Sequence, residues 1–138
     1  MNSKLNPYIN FNGNAKDAME FYKGVFGGEL TMNTFAQSGG AKDPSDNNKI
    51  MHAQLIAGNG ITIMASDTPK EWAFNPGTNV SISLSGNEEG ELKGYWDALA
   101  DGAHVDQPLT AAPWGDTFGM LTDKFGIRWL VNISGKKS

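Results

Sequence analysis

Two segments of the chain repeat apolar residues at steps of three and four, which is the spacing of an amphipathic helix. The apolar positions of the first segment are Ala18, Phe21, Tyr22, Val25 and Phe26. Those of the second segment are Leu92, Tyr95, Trp96 and Leu99. This spacing predicts helices near residues 15–26 and 88–100, each followed within two residues by a glycine that ends it. Asn14 and Asn87 precede the two helices, where an asparagine side chain often caps the first turn.

Alternating apolar and polar residues predict one short strand before each helix and three after it. The later strands are expected at residues 29–36, 49–57, 61–66, 104–110, 117–122 and 127–133. The opening strand and turn of the first half, residues 9–14, recur 73 positions later as residues 82–87. Such repetition indicates a tandem duplication. The predicted fold class is α+β, with two β-α-β-β-β units whose eight strands form one curved mixed sheet and whose helices lie on its outer face.

The length of 138 residues fits a single domain spanning residues 1–138. Within this domain we expect unit one at about residues 5–67 and unit two at about residues 79–134. Residues 68–78 contain two prolines and form the expected linker between the two units.

The composition excludes several classes of function. The chain has no cysteine, which rules out disulfides, thiolate catalysis and cysteine-ligated zinc. Its 11 basic and 15 acidic residues give a net charge of −4 without a basic stripe, so nucleic acid is not an expected partner. No apolar run approaches the roughly 20 residues of a membrane span, and the first residues lack the apolar core of a signal peptide. We therefore expect a cytoplasmic protein without a membrane partner.

The strand alternation separates an apolar sheet face, suited to packing against the helices, from a mixed face. The apolar face is expected to include Met51, Ala53 and Leu55. The mixed face carries Tyr8, Asn10, Gln54, Met64, Asn79, Ser81, Arg128 and Leu130. A solvated sheet face is one interpretation of this set. Its large apolar members favour the other interpretation, which is the wall of a ligand pocket.

Further candidates come from single residues. His52 lies on the mixed face, where it is a candidate general base near neutral pH, although a hydrogen-bonded strand histidine is the alternative. Trp114 and Asp116 are expected on a loop at the pocket rim, with edge packing and ordinary turn chemistry as their alternatives. Phe118 supplies apolar bulk, and Arg128 supplies a positive charge that leaves an anionic ligand as one option.

Distinctive stretches lie near both ends and in the middle of the chain. The segment Tyr8–Leu30 holds Phe-Tyr-Lys-Gly-Val-Phe-Gly-Gly at the end of its predicted helix. The later stretches are Met51-His52, Ile63–Asp67, Trp114-Gly-Asp116 and Asp123-Lys-Phe-Gly126-Ile-Arg-Trp129. Together they resemble the PhnB-like branch of the vicinal oxygen chelate superfamily, which includes glyoxalases, bleomycin-resistance proteins and extradiol dioxygenases. The resemblance spans nearly the whole chain and implies the duplicated fold. Proteins of this branch often carry the label demethylubiquinone methyltransferase.

The resemblance implies four metal-ligand positions, which map to Asn6 or Tyr8, Met64, Asn79 and Leu130. None of these residues is His, Asp or Glu, and amide oxygens alone bind transition metals poorly. The sequence also lacks a G-x-G-x-x-G turn between a strand and a helix, so no nucleotide-binding motif supports the methyltransferase label. We therefore expect no metal site and no cofactor.

The sequence favours a protein that binds a small, partly polar molecule in the concavity of the sheet without the usual metal. The alternative is a metal-dependent or His52-assisted lyase, isomerase or dioxygenase, so enzymatic activity stays open. Binding is preferred because catalysis needs an activated group, and His52 is the only good candidate for one.

We predict that the protein is a homodimer. The resemblance implies cupped sheets that a second chain often completes, and Trp72, Phe74 and Trp114 are aromatic residues suited to such a contact. Sedimentation at micromolar concentration should therefore give twice the chain mass of 14.8 kDa. A mass equal to that of one chain would contradict the prediction.

Overall fold

The computed structural model describes residues 3–135, so the first two and the last three residues of the predicted domain lie outside it. The first half contains β1 (Tyr8–Phe11), α1 (Ala15–Phe26), β2 (Glu29–Thr34), β3 (Ile50–Ile56) and β4 (Thr62–Asp67). The second half contains β5 (Ile82–Gly86), α2 (Glu89–Leu99), β6 (His104–Ala111), β7 (Thr117–Thr122) and β8 (Arg128–Ile133). The predicted α+β class and the repeated β-α-β-β-β order are confirmed. No helix within residues 3–135 is long and apolar enough to cross a membrane.

The chain divides into two compact units, whose boundary in the sequence lies between Pro76 and Gly77. The sheet of the first unit has the strand order β1-β4-β3-β2, and that of the second unit has the equivalent order β5-β8-β7-β6. In each unit the first and last strands pair in parallel, and the other neighbours are antiparallel. The eight strands therefore form two hydrogen-bonded sheets of four, where the prediction had one sheet. The outer strands are β1 and β2 in the first sheet and β5 and β6 in the second.

Each helix packs against the apolar face of its own sheet. The buried side of α1 consists of Ala15, Ala18, Met19, Tyr22 and Phe26, and it packs on β2, β3 and β4. Helix α2 buries Leu92, Trp96 and Leu99, and it packs on β5 and β8. The predicted stripes are confirmed in part, because Phe21, Val25 and Tyr95 are only half-buried, whereas Ala15 and Met19 join the buried side of α1. The burial removes large aromatic and aliphatic surfaces from water.

A β-bulge in the first sheet moves one predicted core residue to the opposite face. Asn33 pairs with His52, but the next residue, Thr34, pairs with Ile50, so Met51 is the extra residue of the bulge. Ile50 is consequently buried, whereas Met51 is 38% exposed. The prediction that Met51 lies on the apolar face was therefore wrong, because the strict alternation ends at the bulge.

A buried carboxylate replaces the predicted asparagine cap at the start of α1. Asn14 forms no side-chain capping bond. The Oδ1 atom of Asp67 instead accepts hydrogen bonds from the backbone N–H groups of Gly13 and Ala15, both at 2.9 Å. Its Oδ2 atom accepts from the N–H group of Ile50, also at 2.9 Å. One side chain thus satisfies backbone donors of the helix start and of β3 at the same time.

The second unit uses a buried carboxylate at a different place. Asp123 is 4% exposed, and its Oδ1 atom accepts from the backbone N–H groups of Phe125 and Ile127 at 2.8 and 3.0 Å. Its Oδ2 atom accepts from the indole N–H group of Trp129 at 2.9 Å. Asp123 therefore shapes the β7–β8 turn and orients a core tryptophan. Helix α2 begins without a side-chain cap, so the predicted role of Asn87 was wrong as well.

Two adjacent glycines after α1 allow a sharp test of this packing. Both have positive φ, at 72° for Gly27 and 90° for Gly28. A Cβ atom on Gly28 would overlap the carbonyl oxygen of Ile56 and lie 2.6 Å from the Cα atom of Ala57, whereas one on Gly27 would meet open space. Gly28→Ala should therefore lower the free energy of unfolding by about 1–3 kcal/mol more than Gly27→Ala. Urea denaturation of both variants measures the difference, and equal losses would contradict this packing.

Candidate functional site

The first sheet carries a row of mixed side chains on the face opposite α1. Tyr8 pairs with Met64 across β1 and β4, and Met64 pairs with Gln54 across β4 and β3. On the neighbouring row, the Oγ atom of Ser66 donates a hydrogen bond of 3.1 Å to Oδ1 of Asn10. This face therefore alternates amide and hydroxyl groups with a phenol and a thioether.

His52 belongs to the same face. Its side chain is half-buried, and its ring centroid lies 6.0 Å from that of Tyr8. Five residues expected from the sequence are thus brought together in the first unit. They are Tyr8, Asn10, His52, Gln54 and Met64.

A cavity of about 480 Å³ opens over one edge of this face. Its base is formed by Tyr8, Asn10, Phe35, Met51, Ser66 and Asp67. Its other wall is formed by residues 68–69 and 71–76, which directly follow β4. We call residues 68–76 the strap. The cavity lies wholly within the first unit and combines polar atoms on the sheet with aromatic side chains on the strap.

Backbone hydrogen bonds attach the strap to the rest of the first unit. The N–H group of Thr68 donates to the carbonyl oxygen of Phe11 at 2.7 Å. The N–H group of Lys70 donates to Oδ2 of Asp46 at 3.0 Å, and that of Trp72 closes a turn on the carbonyl oxygen of Pro69 at 3.0 Å. These bonds fix the path of the strap where it begins to cross the cavity.

Asp46 anchors the strap through its bond to the backbone of Lys70, and no pattern in the sequence indicated this role. Its carboxylate is fully buried, and the Nζ atom of Lys49 lies 2.8 Å from its Oδ1 atom. The side-chain hydrogen bond from Lys49, followed by the backbone bond from Lys70, lowers the pKa of Asp46 below the ordinary value of 3.8. Asp46 is therefore ionised at neutral pH, when its charge is matched by Lys49.

The strap also supplies cavity residues that sequence reasoning assigned elsewhere. Trp72 is 70% exposed and Phe74 is 36% exposed, although both line the cavity. Their aromatic character suggested a dimer contact. Met51 and Phe35 were missed for different reasons, since the bulge hides the first and the second follows the end of β2. The two prolines of the segment predicted only a linker between the units.

The remaining predicted site residues lie in the second unit. Asn79 is exposed in a bend before β5, and Ser81 is half-buried beside the strand start. The Nη1 atom of Arg128 donates a hydrogen bond to the carbonyl oxygen of Thr78. The guanidinium therefore fixes the backbone that leads into β5. Leu130 pairs with Ser83 on the face opposite α2.

Trp114, Asp116 and Phe118 surround the loop between β6 and β7. The rings of Trp114 and Phe118 meet edge to face with centroids 5.7 Å apart, and both line a cleft of about 350 Å³. Asp116 accepts from Nδ2 of Asn132 at 3.0 Å and from the N–H group of Gly135 at 2.9 Å. The bond from Asn132, followed by that from Gly135, lowers the pKa of Asp116. Both oxygens of this carboxylate thus hold the loop against β8.

The residues that the resemblance maps to the superfamily's metal-ligand positions do not fit a divalent metal, whether Asn6 or Tyr8 takes the first position. Tyr8 and Met64 are paired neighbours, Asn79 lies outside β5, and Leu130 offers no donor atom. A phenol, a thioether and an amide are a poor donor set for the metals that octahedral oxygen and nitrogen sites bind. Within residues 3–135, no three His, Asp or Glu side chains are grouped so that they would hold a metal ion.

Neither the start of α1 nor the glycine pair that follows this helix offers a cradle for a methyl-donor nucleotide. The start of α1, where a strand-to-helix turn would present N–H groups to an anionic ligand, is already filled by the carboxylate of Asp67. The paired glycines at residues 27–28 follow a helix instead of preceding one.

Comparison with known proteins places these features in a family. The family described as 3-demethylubiquinone-9 3-methyltransferase matches residues 3–132. Protein YjdN of Escherichia coli strain K12 is 32% identical over 141 residues, which cover 94% of each chain. The crystal structure of protein PA1353 from Pseudomonas aeruginosa is 36% identical, with a TM-score of 0.84 over 98% of this chain and 100% of that one. A PhnB protein from Bacillus cereus is 24% identical, and its TM-score of 0.73 over 96% of this chain and 100% of that one shows the fold alone.

We predict that Asp46→Asn destabilises the protein at pH 7 and that the difference from wild type disappears in acid. Because the folded pKa of Asp46 lies below 3.8, the unfolded carboxyl is protonated first as the pH falls. Asp46 therefore contributes its full stabilisation above about pH 5. This contribution decreases as the pH falls past the unfolded pKa of 3.8, and it is lost below the folded pKa. Urea midpoints between pH 7 and pH 2.5 measure this change.

Asp101→Asn is the control, because Asp101 is an exposed carboxylate after α2. Its urea midpoint should follow that of the wild type at every pH. A constant difference between Asp46→Asn and wild type across the whole range would contradict the ionised anchor.

Proposed function

The chain belongs to the family described as 3-demethylubiquinone-9 3-methyltransferase, on the PhnB-like branch of the vicinal oxygen chelate fold, and we propose that it binds a small, partly polar organic molecule in the cavity of its first unit. The observation that carries the proposal is the cavity itself. Its volume of about 480 Å³ falls within the usual size of small-molecule sites, roughly 300–1,000 Å³. Its wall combines large aromatic surfaces with a few polar groups that can orient a ligand.

The polar groups at the base of the cavity support a ligand with its own polar atoms. Asn10 and Ser66 already share one hydrogen bond, which uses Oδ1 of Asn10, and the amide N–H groups of Asn10 can donate to an acceptor of the ligand. Met51 and Tyr8 provide apolar contact beside them, and both are more than one third exposed. A ligand that covers these side chains removes apolar area from water and satisfies the amide.

We propose binding without a metal ion. The support for this part is the donor chemistry at the superfamily's metal positions, where a thioether and an aliphatic side chain stand. Divalent metal in the assay should therefore leave the affinity for an organic ligand unchanged. Methyl transfer, which the family description names, is not proposed, because the start of α1 is occupied by Asp67.

A His52-assisted reaction is the second candidate, and one observation favours it. The imidazole of His52 lies beside Tyr8, which does line the cavity. His52 itself is not among the cavity-lining residues, so a bound molecule would reach Tyr8 before the imidazole. Binding is therefore the stronger proposal.

The test is a thermal-shift screen over small metabolites, with and without divalent metals, followed by titration calorimetry of each hit. Asn10→Leu keeps the side-chain size and removes the amide. It should weaken a true cavity ligand by about 2- to 10-fold, which corresponds to the loss of one neutral hydrogen bond. Folding should be retained, since Asn10 is exposed.

Asn33→Leu is the matched control. Asn33 is an exposed strand asparagine on β2, which is at the opposite edge of the sheet from Asn10 on β1, and it does not line the cavity, so its replacement should not affect binding. The proposal fails if hits stabilise the protein only when metal is present, or if Asn10→Leu and Asn33→Leu bind every hit as the wild type does.

A further inference from the structure

We propose that the ligand of this cavity is an organic cation, such as a quaternary ammonium or a protonated amine. The proposal rests on the function proposed above and names its ligand class. Two independent features of the cavity lining support the proposal. They are the number of aromatic rings and the negative sign of the charged side chains.

Four aromatic side chains line the cavity. They are Tyr8, Phe35, Trp72 and Phe74. Tyr8 is 47% exposed and Trp72 is 70% exposed, so their ring faces are accessible. The face of an aromatic ring is electronegative and attracts a cation most strongly when it belongs to tryptophan or tyrosine. A cage of several such rings is the usual way in which proteins bind quaternary ammonium groups.

The charges around the cavity have the sign that a cation requires. Among residues 3–135, Glu71 and Asp67 belong to the lining, and no Lys, Arg or His residue does. Glu71 is exposed on the strap beside Trp72. Asp67 is buried under three backbone N–H groups, so Glu71 is the carboxylate better placed to meet a ligand.

Two lysines of the first unit interact with other carboxylates of that unit. Lys49 pairs with Asp46 at 2.8 Å, and Lys70 approaches Asp43 at 3.7 Å. Neither lines the cavity. An anionic ligand would therefore meet Glu71 with no basic side chain from the described part of the chain in the lining, and the anionic option left open by Arg128 has no support at this cavity. A cation would gain from both the rings and the carboxylate.

The experiment compares ligands of one shape and different charge. Choline and benzyltrimethylammonium are the cationic probes. The compound 3,3-dimethyl-1-butanol is the neutral isostere of choline, and benzoate is the anionic probe. Titration by NMR of ¹⁵N-labelled full-length protein follows the indole N–H signal that is absent from Trp72→Phe. Choline should shift this signal and bind about 3- to 10-fold more tightly than its isostere, and benzoate should not shift it.

Variants then separate the contribution of the aromatic rings from that of the carboxylate. Trp72→Leu should lose about 3- to 10-fold in affinity for both cations, and Trp72→Phe should lose less because it keeps a ring face. Glu71→Gln should weaken the cations and leave the neutral isostere unchanged. Glu20→Gln, an exposed carboxylate on α1, is the matched charge control and should bind as the wild type does.

The outcomes distinguish this proposal from the one on which it depends. If metabolite hits are neutral or anionic and are weakened by Asn10→Leu, the cavity binds a ligand and the cation proposal is overturned. The cation proposal is also overturned if choline and its isostere bind equally, or if Trp72→Leu has no effect. If neither metabolites nor probes perturb the Trp72 signal, both proposals are wrong.

Discussion

The first unit depends on one buried carboxylate. Asp67 accepts three backbone hydrogen bonds, two from the start of α1 and one from the start of β3. It is also the last residue of β4, so the same position ends the sheet and begins the strap. Hydrogen bonds from several backbone N–H groups stabilise the charged form of a carboxylate and replace the water that it loses on burial. Helix, sheet and cavity wall are thereby fixed relative to each other at a single residue.

Asp46 holds the strap by the same principle. It is buried and receives the backbone of the strap, while Lys49 balances its charge. Residues 68–76 contain neither helix nor strand, and their backbone polar groups need partners of this kind to hold one path. The aromatic side chains of the strap can remain exposed because the order of the segment comes from its backbone, without burial of those rings.

The parts of the structure that follow local periodicity could be predicted from the sequence. Helix α1 begins and ends where the apolar spacing places it, and the alternation of β1 and β4 identifies the faces of Tyr8 and Met64 correctly. Interactions between distant residues could not be predicted in this way. Asp67 is 52 positions from Ala15, and no property of Asn14 reveals that a remote carboxylate binds the helix start in its place.

At the candidate site, likewise, side chains on regular strands were brought together as expected, since their direction follows from position alone. The strap has no period, so its aromatic residues carried no signal of where they point.

The bulge at Met51 shows how the two halves of a duplicated fold can diverge. An extra residue in a strand exchanges inward and outward positions locally, so Ile50 enters the core and Met51 faces the cavity. In the second unit the corresponding strand pair is β6 and β7. Its register also shifts, but at different positions, near Asp106 and Pro108. Evolution can therefore alter what a copy presents to a ligand by a one-residue insertion or deletion. Such a change in length leaves the helix packing of that copy intact, and families of this architecture can acquire new ligands through indels as well as through substitutions.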